Sequence, residues 1–164
     1  MKKAKANYDA VVDIAGLFDV VYEICDSLDI EAPAICVDED GPFATETTMA
    51  AVQHFGEITI LYLNPNYSIY FQEVNPLNVF IIAHELRHIY QRCSGEDFRN
   101  YVPSSKTSLN NYNRQYCEMD ANAFGLWCVN EMYESAAFNK ISEIVFARIS
   151  ASVKRATLEL MNSF

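Results

Sequence analysis

Asn75-Pro76-Leu77-Asn78-Val79-Phe80-Ile81-Ile82-Ala83-His84-Glu85-Leu86-Arg87-His88-Ile89-Tyr90-Gln91-Arg92-Cys93-Ser94-Gly95 is the stretch on which the reading of this chain turns. An Asn accepts the orphan amides of a first helical turn, and Pro at the first helical position loses nothing by lacking an N–H. Asn75-Pro76 therefore predicts a helix start, and Ser94-Gly95 a helix end, because Gly tolerates the left-handed residue that closes one. Inside that helix lies His84-Glu85-Leu86-Arg87-His88, a match to H-E-x-x-H. Residues four apart project from one helical face, so both imidazoles can reach a single ion with Glu85 beside it. Such a set suits zinc, which polarises a bound water and a carbonyl while the glutamate takes the water's proton. The motif predicts peptide-bond hydrolysis, although a five-residue pattern with two free positions also arises by chance in amphipathic helices.

A catalytic zinc usually takes three protein ligands and keeps an open position. The extension H-E-x-x-H-x-x-G-x-x-H would need Gly at 91 and His at 94, where this chain has Gln91 and Ser94, so the metzincin class is excluded. A glutamate on a later helix is the remaining common solution. Gln115-Tyr116-Cys117-Glu118-Met119-Asp120-Ala121-Asn122-Ala123-Phe124 supplies Glu118. Ala121, Asn122 and Gly125 share its face at i+3, i+4 and i+7, with the two small residues allowing close helix approach. Asp120 lies about 200° around the axis, so at most one of the two carboxylates is a ligand. The plain alternative is that both are solvated surface charges.

Outward from these motifs, 164 residues make one ordinary domain, able to bury roughly 70% of its unfolded surface. Apolar residues are 51% and aromatics 13%, with five Gly and five Pro, which excludes disordered and low-complexity classes. A net charge of −10 repels phosphate backbones and anionic lipids, so neither nucleic acid nor membrane is an expected partner. That acidity hints instead at a basic protein partner. No apolar run approaches the ~20 residues of a spanning helix, and no signal-peptide core follows Met1-Lys2-Lys3. With five widely spaced cysteines read as free thiols, the expected location is the cytoplasm.

Apolar spacing predicts a first helix from Tyr8 to Leu28 and a last one from Asn139 to Leu160. Ala32 to Val37 reads as an edge strand, and Thr47 to Phe55 with Glu57 to Leu63 as a hairpin. A helix is expected from Gln115 to Tyr133. The polar stretch from Gly95 to Arg114 is too long for a simple connection and reads as a functional lid or a locally mobile segment. His54 reads as a turn or surface His, with a role in oxyanion stabilisation or docking as the sharper alternative. Tyr90, Tyr101, Tyr112 and Tyr116 are candidate donors to a tetrahedral intermediate. The strand from Glu57 to Leu63 is expected to offer a free edge to an extended substrate.

His84-Glu85-x-x-His88 followed some thirty positions later by Glu118-x-x-Ala121-Asn122-x-Phe124 resembles the ImmA/IrrE family of small gluzincin-type zinc metallopeptidases. The similarity runs from about Tyr8 to Tyr133. It implies a single α+β, zincin-like domain spanning residues 1–164: N-terminal helix, small mixed sheet with hairpin, active-site helix, glutamate-ligand helix and C-terminal helix. It also implies zinc held by His84, His88 and Glu118, Glu85 as catalytic base, and a specific, regulatory protein as substrate. Arg87 stands where the family often has Gly. Two other classes remain open: a metal-binding regulatory or partner-binding protein without useful peptidase activity, and a metal-free helical interaction module.

Overall fold

A computed structural model of the chain describes residues 16–45, 47–66, 74–96 and 98–164. The architecture is mixed α+β, with six α-helices and a three-stranded sheet among the described residues. Helix α1 (Leu17–Leu28) follows Gly16, whose φ of 87° is left-handed and whose Cα faces Val74 Cγ2, 3.2 Å from where a Cβ would stand. A helix cannot run through such a residue, so the expected helix of about twenty residues is twelve long; Tyr8 to Ala15 lie outside the described residues.

Strands β1 (Ala34–Val37), β2 (Ala50–Phe55) and β3 (Ile58–Leu63) form one sheet in the order β1-β3-β2. β1 runs parallel to β3 from Ala34↔Ile60 to Val37↔Leu63, and β2 pairs antiparallel with β3 as a hairpin closed at Gly56, φ 64°. β2 starts three residues later than expected because Thr45 and Thr48 bond each other in a local turn. The expectation of a free edge on the strand ending at Leu63 is wrong. β3 is bonded on both sides, and the free edges belong to β1 and β2. The hairpin signal and strand periodicity locate the strands but carry no information on the pairing of β3 with β1, which lies earlier in the chain.

Helix α2 (Pro76–Cys93) has the ends its sequence specifies. Asn75 Oδ1 accepts from the amides of Leu77 and Asn78 at 3.0 and 3.1 Å, and Asn78 Oδ1 accepts from the Asn75 amide at 2.8 Å, a reciprocal cap. At the other end Gly95, φ 84°, lets its own amide and that of Glu96 reach back to the carbonyls of Arg92 and Gln91. α2 packs against α1, β2 and the long helix α4 (Tyr116–Met132). α4 is buried on nearly every face, from Cys117 through Val129. A Cβ on Gly125 would stand 2.9 Å from the Phe80 carbonyl oxygen, so only Gly allows α2 and α4 to lie this close.

Between those two helices, the segment after Gly95 contains a 3-10 turn (Ser104–Lys106) and a single-turn helix α3 (Leu109–Tyr112) capped by Ser108. The expected last helix is two, α5 (Ser135–Phe146) and α6 (Ala151–Met161). The chain is extended at Ser150, whose amide donates to Asn110 Oδ1 at 2.9 Å. The apolar stripe that suggested continuity bridges the break: Ile141 and Val153 are buried in different helices, while Ile144 between them is 52% exposed. No helix among the described residues is long and apolar enough to cross a membrane.

The cysteines report on this packing. Cys25, Cys117 and Cys128 are buried, and burial is the main cause that pushes their thiols up to about 11, 12 and 12 respectively, whereas Cys93 is exposed. A thiol held above its usual range is protonated, hence unreactive, at pH 8. With an aromatic disulfide reagent at pH 8, Cys93 is expected to react first and those three only on unfolding. Reaction of Cys117 or Cys128 in the native protein as fast as Cys93 would contradict the burial of α4.

Candidate metal centre

His84 and His88 lie one turn apart on α2, and Glu118 stands in the first turn of α4, brought against them by the close approach at Gly125. Their ligand atoms converge. His84 Nε2 is 3.1 Å from His88 Nε2 and 3.5 Å from Glu118 Oε2, and His88 Nε2 is 3.5 Å from Glu118 Oε1. Donors about 2.1 Å from one ion in tetrahedral array stand roughly 3.4 Å from each other, so this spacing matches a single shared cation. The three residues could hold a metal ion.

The hydrogen bonds around His88 agree with that reading. Gln91, 1% exposed, commits its amide N–H groups to the Cys117 carbonyl at 2.9 Å and to Asp120 Oδ2 at 2.7 Å. Its Oε1 therefore faces His88 Nδ1, at 2.8 Å, and must accept a proton from it. His88 is thereby fixed with its proton on Nδ1 and a lone pair on Nε2 toward the cluster. Asp120 is in turn held by Arg87, Nε to Oδ2 at 2.7 Å and Nη2 to Oδ1 at 3.0 Å. Arg87 is stacked over Tyr90, Phe124 and Phe164 at 4.4, 5.2 and 4.9 Å from the ring centroids.

Glu118 is fully buried, and its Oε2 has no hydrogen-bond partner. Burial works to raise its pKa, but the two imidazoles, with help from the Tyr112 hydroxyl, prevail and hold it well below the usual carboxylate range. Burial works to lower His84, yet Glu118, Glu85 and Asn122 prevail and raise it; His88 is lowered, by burial first and by His84 second. His84 Nδ1 is buried with no partner at hydrogen-bond geometry, although Asn122 lies against the ring while donating to Asn113 Oδ1 at 2.8 Å. A buried carboxylate oxygen without a donor is costly in a protein, and a cation is what would satisfy it.

A cavity of about 570 Å³ opens on the cluster. Glu85 and His88 line it from α2, and Ala50, Val52 and His54 line it from β2. Glu85 is pushed up to about 7, chiefly by burial. The segment read as a lid or mobile stretch forms one wall: Phe98, Tyr101, Pro103 and Tyr112 face the cavity. The Tyr101 hydroxyl donates to Glu118 Oε1 at 3.0 Å and is 3.1 Å from the Tyr112 hydroxyl. Of the four tyrosines singled out in the sequence, only these two are brought to the site. Tyr90 lies under Arg87, and Tyr116 is 56% exposed.

Asp120 is no surface charge. It is 3% exposed and reaches α2 at Arg87 and Gln91, whereas only Glu118 reaches the imidazoles. His54, read as a turn or surface residue, faces the cavity instead, with Nδ1 2.9 Å from Thr59 Oγ1. The sequence reading missed Gln91 and Arg87 as supports, and Arg92 in the cavity wall. One signal was available: Gln91 is three residues past His88, the spacing at which a helical neighbour touches it.

No protein-family model, curated protein or solved structure matches the chain.

A divalent-ion titration against a chromophoric chelator separates the layers of this site. Glu118→Ala is expected to abolish tight binding, and Gln91→Leu, which frees the His88 ring, to weaken it by ~10- to 100-fold with the fold retained. Asp120→Ala should fall with Gln91→Leu. Wild-type affinity in Gln91→Leu would remove the relay, and a greater loss in Asp120→Ala than in Glu118→Ala would reverse the ligand assignment.

Proposed function

We propose that the chain is a zinc metallopeptidase of the zincin type, similar to the ImmA/IrrE family, that cleaves a specific protein substrate in the cytoplasm. The observation that carries this reading is a His84, His88 and Glu118 donor cluster that meets, at His88, a cavity also lined by Glu85. His84, His88 and Glu118 would hold the ion; two imidazoles and a carboxylate suit zinc. Zinc in such a site supplies an activated water and a polarised carbonyl.

This chain's own residues do the rest. Glu85 lines the cavity beside His88 and is the one carboxylate in its lining among the described residues, within reach of a water there whose proton it would take and pass to the leaving nitrogen. Tyr101 and Tyr112 line the same cavity with their hydroxyls beside Glu118, where a donor could meet the developing oxyanion. The edge of β2 from Ala50 to His54, unpaired among the described residues, borders the same cavity and can receive an extended peptide by main-chain pairing. A site kept for metal alone has no need of an acid–base residue in the cavity, which favours catalysis over a purely structural ion.

Glu85→Gln tests the reading. It keeps the shape but cannot accept the proton, so zinc content should stay at the parent's level while hydrolysis of casein, followed by mass spectrometry of released peptides, falls by roughly 10²-fold or more. Equal turnover in the two proteins would remove Glu85 from the mechanism. Zinc retention with no hydrolysis by the parent of casein or of proteins from a cell extract would favour the metal-binding regulatory reading.

A further inference from the structure

We infer that His54 and Arg92 form a carboxylate-binding subsite of the cavity, so that the preferred peptide carries an acidic group beside the scissile region. Both residues line the cavity from different elements, His54 from the edge strand β2 and Arg92 from the last turn of α2. Arg92 is exposed and forms no ion pair among the described residues, although the chain carries 22 acidic residues that could have neutralised it. His54 Nδ1 is engaged by Thr59, its cross-strand partner in the β2–β3 register, which leaves Nε2 for a ligand. Burial, and then the charge of Arg92, lower the His54 pKa, so the ring is neutral at pH 7 and lies near enough to the guanidinium to feel its charge. A carboxylate placed between them gains the fork of the Arg92 guanidinium and an N–H from the neutral His54 ring.

The position of the subsite follows from helix geometry. His84, His88 and Arg92 succeed one another at four-residue intervals, about 6 Å per step. An extended peptide advances about 3.3 Å per residue, so Arg92 meets a residue about two positions from the one facing His88. This subsite rests on the peptidase reading of the cavity, but peptide binding there needs neither zinc nor Glu85.

The test is a titration of the full chain, as purified, with three peptides. Acetyl-Ala-Ala-Glu-Ala-Ala-amide carries a side-chain carboxylate, acetyl-Ala-Ala-Gln-Ala-Ala with a free C-terminus carries a terminal one, and the same Gln peptide amidated carries none. The readout is the Cε1–H resonance of His54, one of three histidines, assigned by its loss in His54→Gln. A carboxylate peptide is expected to bind at least ~10-fold more tightly than the neutral one, with the preference shrinking at high salt. The arm that gains identifies the source of the carboxylate. Arg92→Gln should abolish the preference and Arg92→Lys keep part of it. The net charge of −10 works against any acidic peptide, so the preference cannot come from the overall field. A cation in a last helical turn also complements the helix dipole, a role that leaves no peptide preference. Equal binding of all three peptides, or binding of none, overturns the subsite. Failure of casein hydrolysis with the preference intact would overturn the peptidase reading alone.

Discussion

A carboxylate with no access to water must be met by charge or by donors, and everything around Glu118 is arranged to that end. Removing it from solvent requires α4 to lie directly on α2, and that approach is set where Gly125 meets the Phe80 carbonyl. The same contact brings two imidazoles to within 3.5 Å of the carboxylate oxygens. Neither helix carries the cluster alone. A change that separated them by the width of a methyl group would leave a buried anion and two histidines without their partner, so the site and the core are one structural commitment.

The second layer explains why the histidines stand still. His88 is oriented by Gln91, Gln91 by Asp120 and the Cys117 carbonyl, and Asp120 by Arg87. Arg87 ends the chain of contacts in an aromatic nest formed by Tyr90, Phe124 and Phe164, which shields the ion pair from water. Breaking one side of a buried pair of this kind costs about 3–5 kcal/mol, because it strands the other charge. Arg87 thus has a structural reason to stand at a position where a smaller residue would suffice for a helix.

Much of this was legible in the residues. The reciprocal Asn75 cap and the Gly95 ending located α2 to the residue, because caps act within one turn and need no tertiary context. The helical phase of Glu118, Ala121 and Gly125 placed the right carboxylate against the imidazoles. Phase set Asp120 apart from Glu118 but could not find its partners, because it assumes one buried face, whereas α4 is buried nearly all round and Asp120 meets Arg87 and Gln91 on α2. The strand order, the break before Ser150 and the inward turn of His54 depend on contacts between distant segments, such as β1 with β3 and Asn110 with Ser150, that no local pattern encodes.

The central claim is that the two imidazoles and the buried carboxylate share one zinc ion. Elemental analysis joined to zinc-edge X-ray absorption, on protein purified without a polyhistidine tag, tests it most directly. The account predicts close to one zinc per chain in a shell of nitrogen and oxygen donors near 2.0–2.1 Å, two of them imidazole. Substoichiometric metal after incubation with excess zinc, or a shell containing sulfur from a cysteine, would contradict it.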